Sequence, residues 1–175
     1  MKVERGQNQV VGIDLGTTNS AVARIPMTEE RLEDFPVLQR VSEAEVAPRR
    51  TLPSFLYLPG AHELTCGATA LPWDPERSFL VGEYARTQGS RVPGRVVSSA
   101  KSWLAHRRAD PTEPLLPWEA LRDSARLSAV ETSRRYLEHL REAWDHADPE
   151  HPLALQDLVL TVPASFDEVA RELTV

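Results

Sequence analysis

Apolar positions fall in short alternating runs early in the chain and in a helical stripe late in it. The runs QVVGIDL and NSAVARI, between Gln9 and Ile25, flank the turn formers Gly16, Thr17 and Thr18, which predicts two antiparallel strands joined by a polar-tipped turn. Residues 27 to 49 mix acids, bases and scattered apolar positions, with Val37, Leu38 and Val41 as the strand-like cluster. The run Leu52 to Leu58, closed by Pro59-Gly60, predicts a largely buried strand, and a loop follows through His62 to Arg77. Phe79 to Gln88 reads as a short strand turning at Gly82 into a short helix. Arg95 to Leu104 is a compact apolar segment whose pattern fits strand or helix. The clearest helix covers Leu127 to Ala147, with Val130, Leu137, Leu140 and Trp144 on one stripe. Ser128 and Glu131 have capping-box spacing, although Ala125 to Leu127 could extend the helix backwards. Asp148-Pro149 and His151-Pro152 stop it, Leu155 to Val162 reads as a strand, and Phe166 to Leu173 begins another helix. This alternation predicts an α/β fold, a mixed β-sheet with flanking helices.

Composition narrows the class without naming a function. With 175 residues, 41% hydrophobic and 26% charged, the chain suits one domain or two small lobes. A formal net charge of -6 argues against the basic face that nucleic acid requires. Cys66 is the single cysteine, which excludes an internal disulfide and fits a reducing, cytoplasmic setting. No apolar run reaches the length of a signal peptide core or a membrane span, so neither export nor a membrane partner is expected. Fourteen prolines against eight glycines, many of the prolines between Pro26 and Pro117, predict a loop-rich middle.

Candidate chemistry concentrates in Gly12 to Ser20. Asp14 ends a strand and small, hydroxylated residues follow it, an order that sets one carboxylate beside a phosphate-bound cation and turns backbone N–H groups and hydroxyls toward phosphate oxygens. Asp14 would act on Mg²⁺ through water, because Mg²⁺ dehydrates reluctantly. Gly16 would permit close backbone approach, and Thr17 and Thr18 would add hydroxyl donors. An isolated string of this kind is equally often a plain turn. Lys101 lies among small and apolar residues, and a lysine in such a setting is ordinarily solvated at the surface. Pro163, after what reads as a buried strand, serves equally well as a helix-entry residue. Arg171, four residues after Asp167, reads as half of an exposed ion pair. The five histidines are dispersed without metal-ligand spacing, and Trp73, Trp103, Trp118 and Trp144 read as core or loop anchors.

The first string resembles the phosphate-1 signature of the actin, sugar-kinase and Hsp70 superfamily, and its longer form GIDLGTTNSAVA is similar above all to the Hsp70 chaperone family. Later segments resemble that family in the same order: Arg50 to Phe55, Val81 to Gln88, Val97 to Leu104 around Lys101, and Leu160 to Asp167 with Arg171 beyond. The resemblance says little about 27 to 49 or 61 to 78. It implies an actin-like ATPase (ribonuclease H-like) lobe that binds ATP or ADP with Mg²⁺ through Asp14, Gly16, Thr17, Thr18 and Asn19. Lys101 would then be the catalytic lysine near the γ-phosphate, and Pro163 and Arg171 a relay to domain movement. Implied partners are nucleotide and, in the full-length protein, unfolded peptide clients with J-domain or nucleotide-exchange co-chaperones.

On the same resemblance, residues 1 to 175 correspond to a partial amino-terminal lobe, with the second phosphate loop, the adenosine pocket and the peptide-binding domain absent. Phosphoryl transfer needs groups from several directions, so the chain alone is expected to be inactive as an ATPase. Departures from the family pattern are Ser102-Trp103-Leu104-Ala105 after Lys101, Ser165 after Ala164, and an apparent insertion over 61 to 78. Alternative readings are a sugar or polyol kinase and an actin-like filament-forming ATPase.

Overall fold

A computed structural model describes residues 9–26, 31–106, 109–162, 166 and 168–172. The order is β1 (Val10–Asp14), β2 (Asn19–Ile25), β3 (Glu33–Phe35), β4 (Val37–Arg40), β5 (Val46–Arg49), β6 (Leu52–Pro53), β7 (Phe55–Tyr57), β8 (Leu80–Val81), α1 (Glu83–Arg91), β9 (Val96–Ser98), α2 (Ala100–Leu104), α3 (Ala129–Ala147), β10 (Asp157–Thr161) and α4 (Glu168–Glu172). The main sheet runs β10-β1-β2-β3, with β10 parallel to β1 and the other neighbours antiparallel. This is the mixed sheet with flanking helices that the alternation predicts.

Alternation along β1 decides which face is core. Val11, Ile13 and Leu15 are buried, while Asp14 on the opposite face is exposed. The stripe on α3 supplies the cover: Tyr136, Leu140 and Trp144 are fully enclosed, and the Trp144 ring lies 4.7 Å from that of Phe35 on β3. Trp144 also donates from Nε1 to the His151 carbonyl, which satisfies its polar edge. Ser128 caps the helix by accepting from the Glu131 N–H at 3.0 Å. The Glu131 carboxylate turns to Arg134 and Arg135 instead of closing the box, and Arg134 chiefly holds it down at about 2. The helix does not extend backwards, because Leu127 exchanges backbone hydrogen bonds with Leu116.

Three expectations are revised. The single strand over 52 to 58 is two: β6 pairs with the start of β2, and β7 crosses into a second sheet between β8 and β9. The undecided segment 95 to 104 is both β9 and α2, separated by Ser99 at φ 56° in the left-handed region. Among the described residues the strand before Pro163 lies at the sheet edge and is not buried: Leu158 and Val159 are 51% and 55% exposed. An edge has a neighbour on one side only, and period-two patterning does not distinguish edge from centre.

The stretch 61 to 78 docks against α3 through a buried cation. Arg77 pairs with Asp74 and Glu142 and lies over the Phe79 ring, and Trp73 donates to Glu142 at 3.0 Å. Arg77 also faces His139 Nδ1; arginine only donates, so Nδ1 accepts and Nε2–H donates to the Leu38 carbonyl at 3.0 Å. Burial, aided by Arg77, pushes this imidazole down to about 3, so it is neutral in the fold.

Candidate functional site

The tip between β1 and β2 is anchored from below and exposed at Thr17, Thr18 and Asn19. Leu15 is fully enclosed in the core, and Gly16 N–H donates to the Asp14 carbonyl at 3.1 Å, which closes the turn tightly. A Cβ on Gly16 would stand 1.9 Å from the Asn19 carbonyl oxygen, so the turn excludes every side chain at this position.

Ser54, between β6 and β7, binds the turn from beneath. Its Oγ donates to the Gly16 carbonyl at 2.7 Å and its N–H to the Thr18 carbonyl at 2.9 Å. A serine has one hydroxyl proton, so the 3.2 Å contact with Ser20 Oγ is a bond that Ser20 donates. With those two carbonyls occupied below, Thr17, Thr18 and Asn19 stand exposed above. Sequence reasoning missed Ser54, whose partners lie on another strand and in the turn.

The same segment carries the site across to the lysine. Phe55, next to Ser54, pairs with Ser98 at the end of β9, from which the chain turns through Ser99 into α2. The Tyr136 hydroxyl donates to the Ser54 carbonyl at 3.0 Å, with the Val97 carbonyl at 3.4 Å, and so ties both supports to α3. Left-handed geometry at Ser99 costs about 1 kcal/mol, and that turn sets the direction in which α2 leaves β9.

Lys101 is buried, with 7% of its surface exposed, against the solvated position its local sequence suggests. Its Nζ lies 5.9 Å from the centroid of the Phe166 ring, within cation–π range. Burial lowers its pKa below the usual lysine value, and the Asp14 carboxylate acts in the opposite direction. Two residues separated by most of a hundred positions are therefore within electrostatic reach of each other. Asp14 accepts from Thr161 Oγ1 at 2.6 Å across the β1–β10 ladder, a partner that sequence reasoning also missed.

Of the two relay candidates, Arg171 alone lies among the described residues. Arg171 is exposed on α4 beside the buried Ala170, and no described contact joins it to Asp14 or Lys101. Pro163 and Asp167 lie outside the described residues. Among the described residues no group of histidine, cysteine and acidic side chains is arranged to hold a metal by itself. A groove of about 510 Å³ runs between α3 and β10, lined by Ile13, Leu137, Leu153, Leu158 and Leu160. It adjoins the core face of β1, opposite the face that carries Asp14.

The structure is thus a mixed α/β lobe with a tight, hydroxyl-bearing hairpin tip, an exposed carboxylate at its base and a buried lysine. No family model matches the chain. Curated relatives do. It is 27% identical to the chaperone protein HscA of Enterobacter sp. (strain 638) over 93% of the chain, and 28% identical to the chaperone protein DnaK of Stenotrophomonas maltophilia over 95%. It is 27% identical to HscA of Salmonella arizonae over 92%. These relatives are Hsp70-family chaperones, and the Hsp70 resemblance extends over nearly the whole chain. The chain spans about a quarter of their length, 23–24%.

Proposed function

We propose that the chain is the phosphate-binding part of an Hsp70-type chaperone ATPase, the partial amino-terminal lobe of its actin-like nucleotide-binding domain. The observation that carries this reading is the burial of Lys101 within the field of the Asp14 carboxylate, since a solvated lysine would have left the hairpin as a plain turn.

The residues fit ATP or ADP with Mg²⁺. At the tip Thr17, Thr18 and Asn19 are exposed and offer hydroxyls and an amide to phosphate oxygens, with Gly16 keeping the turn tight. Asp14 would hold the water shell of Mg²⁺, which supplies neutralisation of phosphate charge when bound. Lys101, desolvated by its burial, would act as the catalytic point charge at the terminal phosphate, where a dry setting strengthens each Coulomb interaction. Pro163 and Arg171 would relay nucleotide state outward. In the full-length protein, ATP hydrolysis would drive binding and release of unfolded peptide, with co-chaperones setting the pace. Groups from a second lobe are needed for turnover, so the 175 residues alone bind without useful hydrolysis.

Lys2 and Lys101 are the only lysines in the chain, which makes a direct test possible. An acyl-phosphate derivative of ATP acylates an amine lying beside its phosphates: the amine nitrogen attacks the acyl carbon, the acyl–oxygen bond to phosphate breaks, and ATP leaves. Peptide mass spectrometry is expected to find Lys101 modified, with excess Mg·ATP protecting it and Lys2 unprotected. Equal modification of both lysines, indifferent to ATP, would remove the nucleotide reading.

A further inference from the structure

Thr161 has no part in the reading above, yet it hydrogen-bonds one oxygen of its central carboxylate. An ionised carboxylate only accepts, so the hydroxyl donates to Asp14 Oδ1, and 2.6 Å is the length of a charge-assisted O–H···O⁻ bond. The backbone sets this contact up. Asp14 and Thr161 are register partners at the last positions of β1 and β10, so both side chains leave the sheet on the same face.

Both side chains are exposed, which makes the bond informative. An exposed aspartate at a strand end has several rotamers open to it, with water as a ready partner for each oxygen. A neighbour that engages Oδ1 selects one of them and leaves Oδ2 for something else. The β-branched threonine suits this task, because its own χ1 is restricted in a strand and the hydroxyl starts from a defined position. Since Thr161 is exposed, replacing its hydroxyl with a methyl group removes no core contact.

We propose that Thr161 is a positioning residue for the candidate cation site: by holding Oδ1 it fixes the Asp14 side chain in one rotamer and presents Oδ2 to the water shell of the Mg²⁺ that accompanies nucleotide. The ligand rests on the function proposed above, whereas the orientation rests on the hydrogen bond alone. Thr161 touches neither substrate nor cation and acts through Asp14.

The test compares Thr161→Val, which keeps the branch and loses the hydroxyl, with Thr161→Ser, which keeps the hydroxyl. Three-bond couplings to the Asp14 β-protons are expected to report one χ1 rotamer in the wild type and in Thr161→Ser, and an average in Thr161→Val. In Mg²⁺ titrations at fixed ATP, Thr161→Val is expected to need about tenfold more Mg²⁺ for half-maximal enhancement of binding, and Thr161→Ser about twofold more or less. ATP binding in the presence of a chelator is expected to be equal in all three, which separates orientation from general damage to the fold. A single Asp14 rotamer in Thr161→Val overturns the proposal, as does an unshifted Mg²⁺ requirement in that variant beside a Mg²⁺-dependent wild type. If wild-type binding ignores Mg²⁺ while the rotamer difference persists, the orienting role of Thr161 stands and the cation assignment of Asp14 falls.

Discussion

The hairpin tip and Lys101 belong to one candidate site and are held by opposite physics. The tip is made of satisfied neutral hydrogen bonds, with Ser54 beneath it and Gly16 seated where no side chain fits. Lys101 is a cation withdrawn from water, with Phe166 and the Asp14 carboxylate offsetting only part of what its burial costs. The hydrogen bonds of the first region favour the fold, whereas the burial of the second carries a desolvation cost. Substitutions in the two should therefore have opposite signs in stability.

The largest effect is expected at Gly16. In Gly16→Ala the added Cβ meets the Asn19 carbonyl at 1.9 Å, a backbone atom inside a two-strand turn that cannot step aside like a flexible side chain. Overpacking of this kind costs about 3 kcal/mol. Chemical denaturation is expected to show that loss; a variant as stable as the wild type would mean that the tip is loose, and the contrast with Lys101 would collapse.

Lys101→Met turns the comparison round. Methionine has nearly the same reach with no charge to desolvate, so stability at pH 7 is expected to hold or rise by about 1 kcal/mol, while acyl-phosphate modification at position 101 is lost with the amine. The sign with pH follows from linkage. The folded pKa of Lys101 lies below its unfolded value of about 10.5, so the unfolded chain binds more protons between the two. The wild type is therefore penalised below its folded pKa and recovers as pH rises through 10.5, and its deficit against Lys101→Met should shrink on that alkaline side. A destabilised Lys101→Met at pH 7 would show that the ammonium is net stabilising and that the two regions are alike.

The contrast also explains what was legible in the sequence. β1, β2 and the turn between them follow from alternation and turn chemistry within seventeen residues, Gln9 to Ile25, and the α3 stripe and its Ser128 cap are equally local. The burial of Lys101 is not local. It depends on β7 crossing between sheets, on Ser99 redirecting the chain, and on Phe166 arriving from beyond β10, none of which shows in the window around position 101. Only the family resemblance singled that lysine out. Ser54 and Thr161 were missed for the same reason: each has its partner on another strand, and serine or threonine in a β-run has no signature that distinguishes a support from a solvated position. The exposure of β10 is illegible for a related reason, since Leu158 to Leu160 read as core whether or not a neighbour covers them.

The smallest effect tests the link between the two regions. Asp14→Asn removes the carboxylate whose field raises the Lys101 pKa against its burial, and leaves a side chain of the same shape that can still accept from Thr161. The Lys101 amine should then titrate lower still. Because Lys2 is the only other lysine, a lysine-selective ¹³C label resolves the two titrations in one spectrum, with Lys2 as internal reference. Lys2 is expected to keep its titration in the variant and Lys101 to move down. A Lys101 titration indifferent to Asp14→Asn would place the ammonium outside the reach of the hairpin carboxylate. The tip and the lysine would then be two separate features of a fold, with no shared phosphate between them.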